Sequence, residues 1–236
     1  MSYVERLLGF NSSRHRLWTE NADFAKGVPN GAVVLDAGAG TAPYRSLFAH
    51  AQYETADFEK VDKQYTPSTY VCSLESIPVE DGRFDFVIFN QVMEHLPDPK
   101  SVLTELNRVL KPAGKMLYSG PFFFEEHEQP YDFYRYTQFG LRELFSKAGF
   151  DVERLDWLEG YFGTVGYQLN CMARYLPVKP RSLGGGVFGW VLAPLMVLLK
   201  AAFAACSILF QRLDVRFKFT QRGHPKNYLA IVGKRA

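Results

Sequence analysis

Short apolar runs alternate with amphipathic stretches along the chain, a pattern typical of a parallel β-sheet covered by helices. The run at residues 32–35 has no polar alternation, as expected for a strand buried on both faces. The run at residues 83–90 follows a glycine and is rich in aromatic and β-branched side chains, which favour strands. Five further strands are predicted at residues 52–56, 69–72, 115–119, 150–157 and 227–234.

Helices are predicted between these strands from periodic apolar positions and capping residues. Residues 100–111 carry apolar side chains on one face. Residues 139–148 follow Thr137, a residue type that caps helix N-termini. A short helix is predicted at residues 44–50, with Thr41 as its candidate cap. The alternation of strands and helices therefore predicts an α/β fold.

The turn after the first strand reads Asp36-Ala37-Gly38-Ala39-Gly40-Thr41. Its two glycines have no Cβ atoms, so the backbone can approach a ligand closely. Glycine turns of this kind bind nucleotides, and two classes of ligand compete. The dinucleotide fingerprint G-x-G-x-x-G needs a third glycine where this chain has Pro43. That break disfavours an NAD-dependent oxidoreductase, which stays open as an alternative.

The acidic residue just before the first glycine points to a different ligand. It resembles motif I of class I S-adenosylmethionine (SAM)-dependent methyltransferases. SAM carries an ammonium group instead of a pyrophosphate, and a carboxylate can hold that ammonium directly or through water. The resemblance implies that SAM is the cofactor and that the turn binds it. The cofactor-binding residues implied here are Asp36, Ala37, Gly38, Gly40 and Thr41.

Asp57 follows the second predicted strand, about twenty residues beyond the glycine turn. Doubly wound nucleotide folds place an acid at this point, where its carboxylate accepts hydrogen bonds from the ribose hydroxyls. Asp57 is therefore predicted to bind the ribose. Glu59 and Asp62 are the alternatives if the strand ends later.

Two further segments are predicted to contact the cofactor. The segment at residues 73–78 resembles the methyltransferase stretch that binds adenine, with Ser73 where the family usually has an acid. The Ser73 hydroxyl can still accept a hydrogen bond, and Leu74 can supply a backbone donor and an apolar wall. Asn90 and Gln91 lie at the carboxyl end of the fourth strand, the edge at which α/β sheets bind ligands. They are predicted to contact the methionine part of SAM.

The resemblance covers roughly residues 31–157 and the final strand. It includes the stretch at 91–99, close to the family pattern vlEHl.dp, in which His95 is expected to order a turn. The helix–strand unit at 105–114 resembles the family's E..RVLKPGG. The family fold implied is a Rossmann-like, seven-stranded, mostly parallel sheet with helices on both faces. Its last strand lies antiparallel between strands five and six.

Residues 121–137 are unusually dense in aromatic and titratable side chains and are expected to face the acceptor. A bacterial subset of the family carries a similar segment, Pf…hE.P.DfyRyT. A hydroxyl acceptor needs a base, and histidine suits that role because its pKa is close to neutral. The alternative is a structural lid in which an aspartate–arginine pair and packed tyrosines hold the segment. The candidate catalytic residues are His127 as base, the weaker candidates Glu128, Asp132 and Tyr134, and Arg135 as a clamp for an anionic acceptor.

An apolar insertion separates the last two strands. Residues 161–176 are predicted to be helical, and residues 187–210 are apolar except for Lys200 and Ser207. This length permits a membrane span. Pro194 would kink such a helix, and a single span would place the final strand across the bilayer from its sheet. The preferred interpretations are therefore a helix lying in the membrane interface, a re-entrant hairpin, or a lid or dimer interface packed on protein. Basic residues that suit anionic headgroups flank the insertion, namely Lys179, Arg181, Arg212, Arg216 and Lys218.

Length and composition narrow the class of protein. The 236 residues suit one domain, with a helical segment at 1–31, a SAM-binding core at 32–159, the insertion at 160–224 and the final strand at 225–236. A net charge of +2 makes no case for nucleic acid as partner. Three scattered cysteines predict reduced thiols in a cytoplasmic protein, with no metal-ligand spacing, and no metal site is predicted.

The sequence thus predicts a methyltransferase that moves a methyl group from SAM to a small or lipid-linked acceptor, with O-methylation as the expected chemistry. It is expected in the cytoplasm, with contact to the inner face of the membrane through residues 187–210. The alternative from another class is a non-catalytic SAM-binding or membrane-docking module. The acceptor and the oligomeric state stay open.

Overall fold

The computed structural model describes residues 11–61 and 64–235. The chain divides into two compact units. Of the described residues, the sheet unit takes 17–61, 64–158 and 227–235. The hairpin unit takes Glu159–Lys226 and residues 11–16.

The sheet unit contains a seven-stranded sheet of order β3-β2-β1-β4-β5-β7-β6. The pairs among β1 to β5 are parallel, and β7 is antiparallel to both β5 and β6. The predicted Rossmann-like sheet and its antiparallel last strand are therefore confirmed. The strands are β1 (Val33–Ala37), β2 (Gln52–Asp57), β3 (Tyr70–Val71), β4 (Phe84–Asn90), β5 (Leu110–Pro121), β6 (Phe150–Trp157) and β7 (Asn227–Lys234).

Three helices accompany the sheet. The Asp98 side chain caps the second of them by accepting from the Ser101 backbone N–H, at 3.1 Å. Thr137 caps the third by accepting from the Gly140 N–H at 3.2 Å, as predicted. The helices are α1 (Ser12–Lys26), α2 (Pro99–Val109) and α3 (Gln138–Lys147).

Two predicted elements differ from the structure. The helix expected at 44–50 is only a 3₁₀ turn, Arg45–Phe48, and Thr41 does not cap it. Ala42 adopts a left-handed conformation at φ +48°, which interrupts any helix before the turn. The helix expected to run to residue 111 ends at Val109, because Leu110 already pairs with Phe84 as the first residue of β5.

The hairpin unit consists mainly of two helices, α4 (Tyr161–Tyr175) and α5 (Gly186–Phe217), joined through a 3₁₀ turn at Pro180–Leu183. Lys200 on α5 donates to the Arg174 carbonyl on α4 at 3.0 Å, and Ser207 donates to the Gly166 carbonyl at 2.7 Å. The two helices therefore run antiparallel, and α5 extends seven residues beyond the predicted apolar run at 187–210.

Buried polar contacts hold the C-terminal half of α5. Asp214 is fully buried and accepts from the Gly160 N–H at 2.8 Å and from Arg16 Nε at 3.1 Å. Gln211 donates to the Ser207 hydroxyl at 3.0 Å and accepts from the Ser12 N–H at 3.1 Å. This half of the helix is fixed within its own unit by specific hydrogen bonds.

Candidate cofactor and acceptor site

A cavity of about 270 Å³ lies in the sheet unit, where β1, β2 and β4 end. Gly38 follows β1, Asp57 ends β2 and Gln91 follows β4, and all three line the cavity. Because the carboxyl ends of parallel strands meet at one edge of a sheet, residues far apart in the chain converge here. The cavity therefore occupies the ligand-binding edge of the fold.

Gly38 must be a glycine for two geometric reasons. Its φ is +75°, which other residues rarely adopt, and a Cβ atom there would lie 2.4 Å from the Val92 Cγ2 atom. Its N–H donates to the Ala56 carbonyl at 2.7 Å, which ties the turn to β2. The turn thus brings bare backbone to the cavity wall.

Asp57, the predicted ribose ligand, lines the cavity and is buried. Its carboxylate accepts from the Gly40 N–H at 2.9 Å and from the Glu59 N–H at 3.1 Å. A carboxylate has about four acceptor positions, so hydroxyl donors can still bind it. Glu59 uses its own carboxylate on the Ser68 N–H at 3.3 Å, and Asp62 lies outside the described residues.

Asp36 is buried at the end of β1 and is not among the residues lining the cavity. The Tyr53 hydroxyl donates a hydrogen bond to its carboxylate. Burial raises the pKa of Asp36 to about 7; Asp57 also raises it, whereas Tyr53 and Arg45 lower it. A cation placed near this carboxyl would favour its ionised form.

The remaining residues of the glycine turn lie around these two acids. Ala37 is buried in β1, and the Gly40 carbonyl accepts from the Thr66 N–H at 2.9 Å. The Thr41 carbonyl accepts from the Thr66 hydroxyl at 3.0 Å. These contacts fix the turn; Ala37, Gly40 and Thr41 are not among the cavity-lining residues.

Ser73 and Leu74, the predicted adenine contacts, both line the cavity. Leu74 is buried and also packs against the hydrophobic core, so its position is fixed from behind. The Ser73 hydroxyl accepts from the Glu75 N–H at 3.3 Å. This corner therefore combines an apolar surface with a hydroxyl.

Asn90 and Gln91 are adjacent but lie in different environments. Asn90 donates to the Asn21 side chain at 3.0 Å and accepts from the Ser119 hydroxyl at 2.8 Å, and it is not among the lining residues. Gln91 lines the cavity and has a left-handed φ of +58°. Its backbone N–H donates to the Ser119 carbonyl at 2.8 Å, which holds this unusual conformation.

A further part of the lining comes from the segment after β5. Glu128, Tyr131 and Phe133 line the cavity, whereas the predicted His127, Asp132, Tyr134 and Arg135 do not. Residues 131–136 form neither helix nor strand. The sequence reasoning missed Tyr131 and Phe133, because in an irregular segment no periodicity indicates which side chains face the cavity.

The predicted catalytic residues Asp132 and Arg135 form an ion pair. Arg135 donates to both Asp132 oxygens, at 2.6 and 2.8 Å, and also to the Glu125 carbonyl at 3.0 Å. The His127 N–H donates to Asp132 at 2.8 Å. The hydrogen bonds from Arg135 lower the pKa of Asp132 to about 2, against the opposing effect of burial. Together with Tyr134, whose hydroxyl donates to the Pro97 carbonyl at 3.1 Å, these contacts match the structural alternative for the segment.

Sequence reasoning also missed Glu94, which precedes the cavity-lining residue His95. Glu94 is fully buried, and burial raises the pKa of its carboxyl group to about 8. Neither carboxyl oxygen has a hydrogen-bond partner among the described residues. Its neighbour His95 lines the cavity and contacts the Tyr131 carbonyl through Nδ1, and burial lowers the pKa of that imidazole.

The model of a family described as a methyltransferase domain matches residues 10–155. A demethylmenaquinone methyltransferase of Staphylococcus haemolyticus is 27% identical over 198 residues, which cover 74% of this chain and 81% of the relative. A tRNA (carboxymethyluridine(34)-5-O)-methyltransferase of Macaca fascicularis is 28% identical over 122 residues, 49% of this chain. The match spans only 18% of that relative's length.

Solved structures share the fold at low sequence identity. The 1,6-didemethyltoxoflavin-N1-methyltransferase of Burkholderia thailandensis, bound to S-adenosylhomocysteine, has a TM-score of 0.54 and 14% identity, covering 93% of this chain and 78% of the other. Phosphoethanolamine N-methyltransferase 2 of Haemonchus contortus, in complex with SAM, has a TM-score of 0.55 and 15% identity, covering 93% and 53%. The residues at the cavity fit this cofactor, since an acid suited to ribose, an apolar adenine wall and a glycine turn meet there. The family match over residues 10–155, together with these cavity residues, shows that this chain belongs to the methyltransferase-domain family and is a class I SAM-dependent methyltransferase.

Proposed function

We propose that this enzyme methylates an oxygen of a small or lipid-linked acceptor, and that it does so at a membrane surface. The observation that carries the proposal is the make-up of the cavity. Its lining combines strand-end residues suited to SAM with Glu128, Tyr131 and Phe133, which we call the acceptor wall. An aromatic and acidic wall fits a planar or apolar acceptor that bears a hydroxyl group.

The cofactor residues act mainly by alignment. SAM supplies a methyl group already activated by its sulfonium, so the protein must place the acceptor oxygen in line with it. Holding two reactants in this geometry contributes on the order of 7–11 kcal/mol. Asp57 is proposed to bind the ribose, Leu74 to pack on the adenine and Gln91 to contact the methionine part, because all three line the cavity.

A hydroxyl acceptor must also lose its proton, which a general base accelerates by about 10²–10⁴-fold. Glu128 lines the acceptor wall and is a candidate base by position. His127 is a candidate by residue type, and its side chain is partly exposed next to that wall. The relatives named as demethylmenaquinone methyltransferases support a quinone-like acceptor class.

The acceptor class is tested by incubating the full chain with SAM labelled in the methyl group and with separate lipid, small-metabolite and tRNA extracts. We expect label in the organic-soluble products, as an O-methyl group identified by mass spectrometry and NMR. Label confined to tRNA, or a carbon- or nitrogen-bound methyl group, would overturn this acceptor assignment.

The membrane part of the proposal rests on α5. Among the described residues it is the one helix long and apolar enough to cross a membrane, with a mean hydropathy of 2.1 in its most apolar window. Only 11% of that window is buried. Val187, Phe188 and Trp190 are 82%, 67% and 72% exposed. An apolar surface of this kind marks an interaction site.

The exposed apolar side chains concentrate in the first half of the helix. From Gly186 to Lys200 the helix rises roughly 20 Å, less than the ~30 Å of a bilayer's hydrocarbon core. The buried polar residues Ser207, Gln211 and Asp214 occupy the other half. These lengths support shallow insertion of the hairpin tip, residues 176–200, with basic residues at headgroup level.

Shallow insertion predicts that full-length protein co-sediments with vesicles containing anionic lipid and is released by alkaline carbonate. The double variant Trp190→Glu with Leu198→Glu should abolish co-sedimentation, because two charges would enter the apolar layer. Leu209→Glu is the matched control, since Leu209 is exposed outside the tip, and it should bind normally. Protein that stays in the supernatant with vesicles, including as a dimer, or that only detergent extracts, would contradict this proposal.

A further inference from the structure

Three potential ligand residues come together beside the acceptor wall, although His127 lies 32 positions beyond His95 in the chain. One ligand atom from each of Glu94, His95 and His127 lies within 4.8 Å of the others. The two imidazole rings are 4.7 Å apart, and His95 Nε2 is 3.9 Å from Glu94 Oε1. We propose that these three side chains form a binding site for a divalent transition-metal ion of the zinc type.

The Glu94 carboxyl group supplies the first argument. Both oxygens are buried and lack hydrogen-bond partners among the described residues, whereas buried polar atoms are almost always satisfied. The Glu94 backbone is held to the segment after β5, since its carbonyl accepts from the Phe133 N–H at 2.8 Å. A bound cation would give the two oxygens the partner that the described residues do not provide.

The two imidazoles supply the second argument. His95 Nδ1 contacts the Tyr131 carbonyl, so Nδ1 carries the proton and the Nε2 lone pair stays available. His127 Nδ1 lies 3.2 Å from the Glu125 carbonyl and 3.3 Å from Asp132 Oδ2, which leaves the Nε2 lone pair available. A metal ion bound there would occupy the lone pair that a general base needs, so Glu128 is the candidate base of the metal-bound enzyme. Metal-binding histidines are held in this way, with the second ring nitrogen donating to a carbonyl or a carboxylate.

The donor set selects the class of ion. Two imidazoles and one carboxylate bind zinc in catalytic sites that keep a position open, whereas magnesium and calcium prefer oxygen ligands. Zinc–nitrogen distances of about 2.0–2.1 Å require the three side chains to approach by roughly 1 Å. His127 is the least buried of the three and lies in a loop, so it can make most of that movement. His95 lines the cavity, so the open position would be reachable by an acceptor oxygen.

The site is tested on full-length, tag-free protein that has been treated with a chelator and then dialysed. Titration with Co²⁺ should develop visible absorption of a tetrahedral or five-coordinate site at one equivalent, and Zn²⁺ should displace it. His127→Ala and Glu94→Gln should each weaken binding by at least ~10-fold, since loss of even an outer partner costs 10–100-fold. His15→Ala and Glu143→Gln, which alter exposed residues outside the cluster, are the matched controls and should bind as the wild type does.

SAM binding by the same variants serves as the test of folding. We expect His127→Ala to keep wild-type SAM affinity while losing cobalt, which separates the metal site from the SAM-binding site. If Glu94→Gln does not fold, His127→Ala still decides, because its side chain is partly exposed. Absence of cobalt absorption in the folded wild type, or equal affinity in the wild type and His127→Ala, would overturn the proposal.

Discussion

Replacing Asp57 with alanine is expected to lower the affinity for SAM by at least ~100-fold. Hydrogen bonds to a charged group contribute about 1.5–3 kcal/mol each, and the ribose would lose two of them. The variant also removes the acceptor of the Gly40 and Glu59 N–H groups, which loosens the glycine turn. Calorimetric titration with SAM and with S-adenosylhomocysteine measures the effect.

Asp57→Asn separates the two contributions. The amide keeps one oxygen acceptor for the turn but has no charge, so we expect an intermediate loss of about tenfold in SAM affinity. Asp151→Ala is the matched control, because Asp151 is an exposed acid at the opposite end of the sheet, paired with Arg235. An Asp57→Ala variant that binds SAM as tightly as this control would contradict the role given to Asp57.

Arg135→Ala is expected to destabilise the protein by about 2–4 kcal/mol. It leaves the Asp132 carboxylate, with only 4% of its side chain exposed, without its ion-pair partner. Breaking a buried pair in this way typically costs about 3–5 kcal/mol, and the partial exposure of Arg135 reduces that figure. Urea denaturation monitored by circular dichroism measures the change in the free energy of unfolding.

The same pair predicts a specific dependence on acid. The pKa of Asp132 is about 2 in the folded protein, against an ordinary value of 3.8, so the folded state binds fewer protons. Its stabilisation is complete above about pH 4 and is lost as the pH falls toward 2. Arg135→Ala should remove this part of the acid sensitivity.

Lys147→Ala, which breaks an exposed pair with Glu143, is the control for the loss of stability and should cost less than about 1 kcal/mol. Equal stability of the two variants would show that the buried pair does not hold the segment.

Most of the sheet could be predicted from the sequence, because buried strands leave a local signal. The bounds of β6 and β7 agree with the prediction to the residue. The failures arise where contacts distant in sequence decide the conformation. Ala42 is left-handed, and the adjacent turn is held by Thr66. The start of β5 is set by pairing of Leu110 with Phe84, across an irregular register. No local pattern reports either contact.

The candidate site also has a part that the sequence could predict and a part that it could not. Residues at strand ends could be assigned to the cavity because the topology of a parallel sheet brings those ends together. The sequence could not indicate which of two neighbouring residues faces the cavity, as Asn90 and Gln91 show. The side chain that faces it is decided by the backbone conformation at Gln91. The cluster of Glu94, His95 and His127 forms only because the segment after β5 folds back onto Glu94. Spacing along the chain carries no sign of it.

A crystal structure with S-adenosylhomocysteine bound tests the central claim most directly, that the cavity at the ends of β1, β2 and β4 is the cofactor site. We predict that the ribose hydroxyls lie at hydrogen-bond distance, about 2.7 Å, from the Asp57 carboxylate. The adenine should pack on Leu74, with the sulfur facing the wall of Tyr131 and Phe133. A ligand bound elsewhere, or one whose ribose does not reach Asp57, would contradict the account.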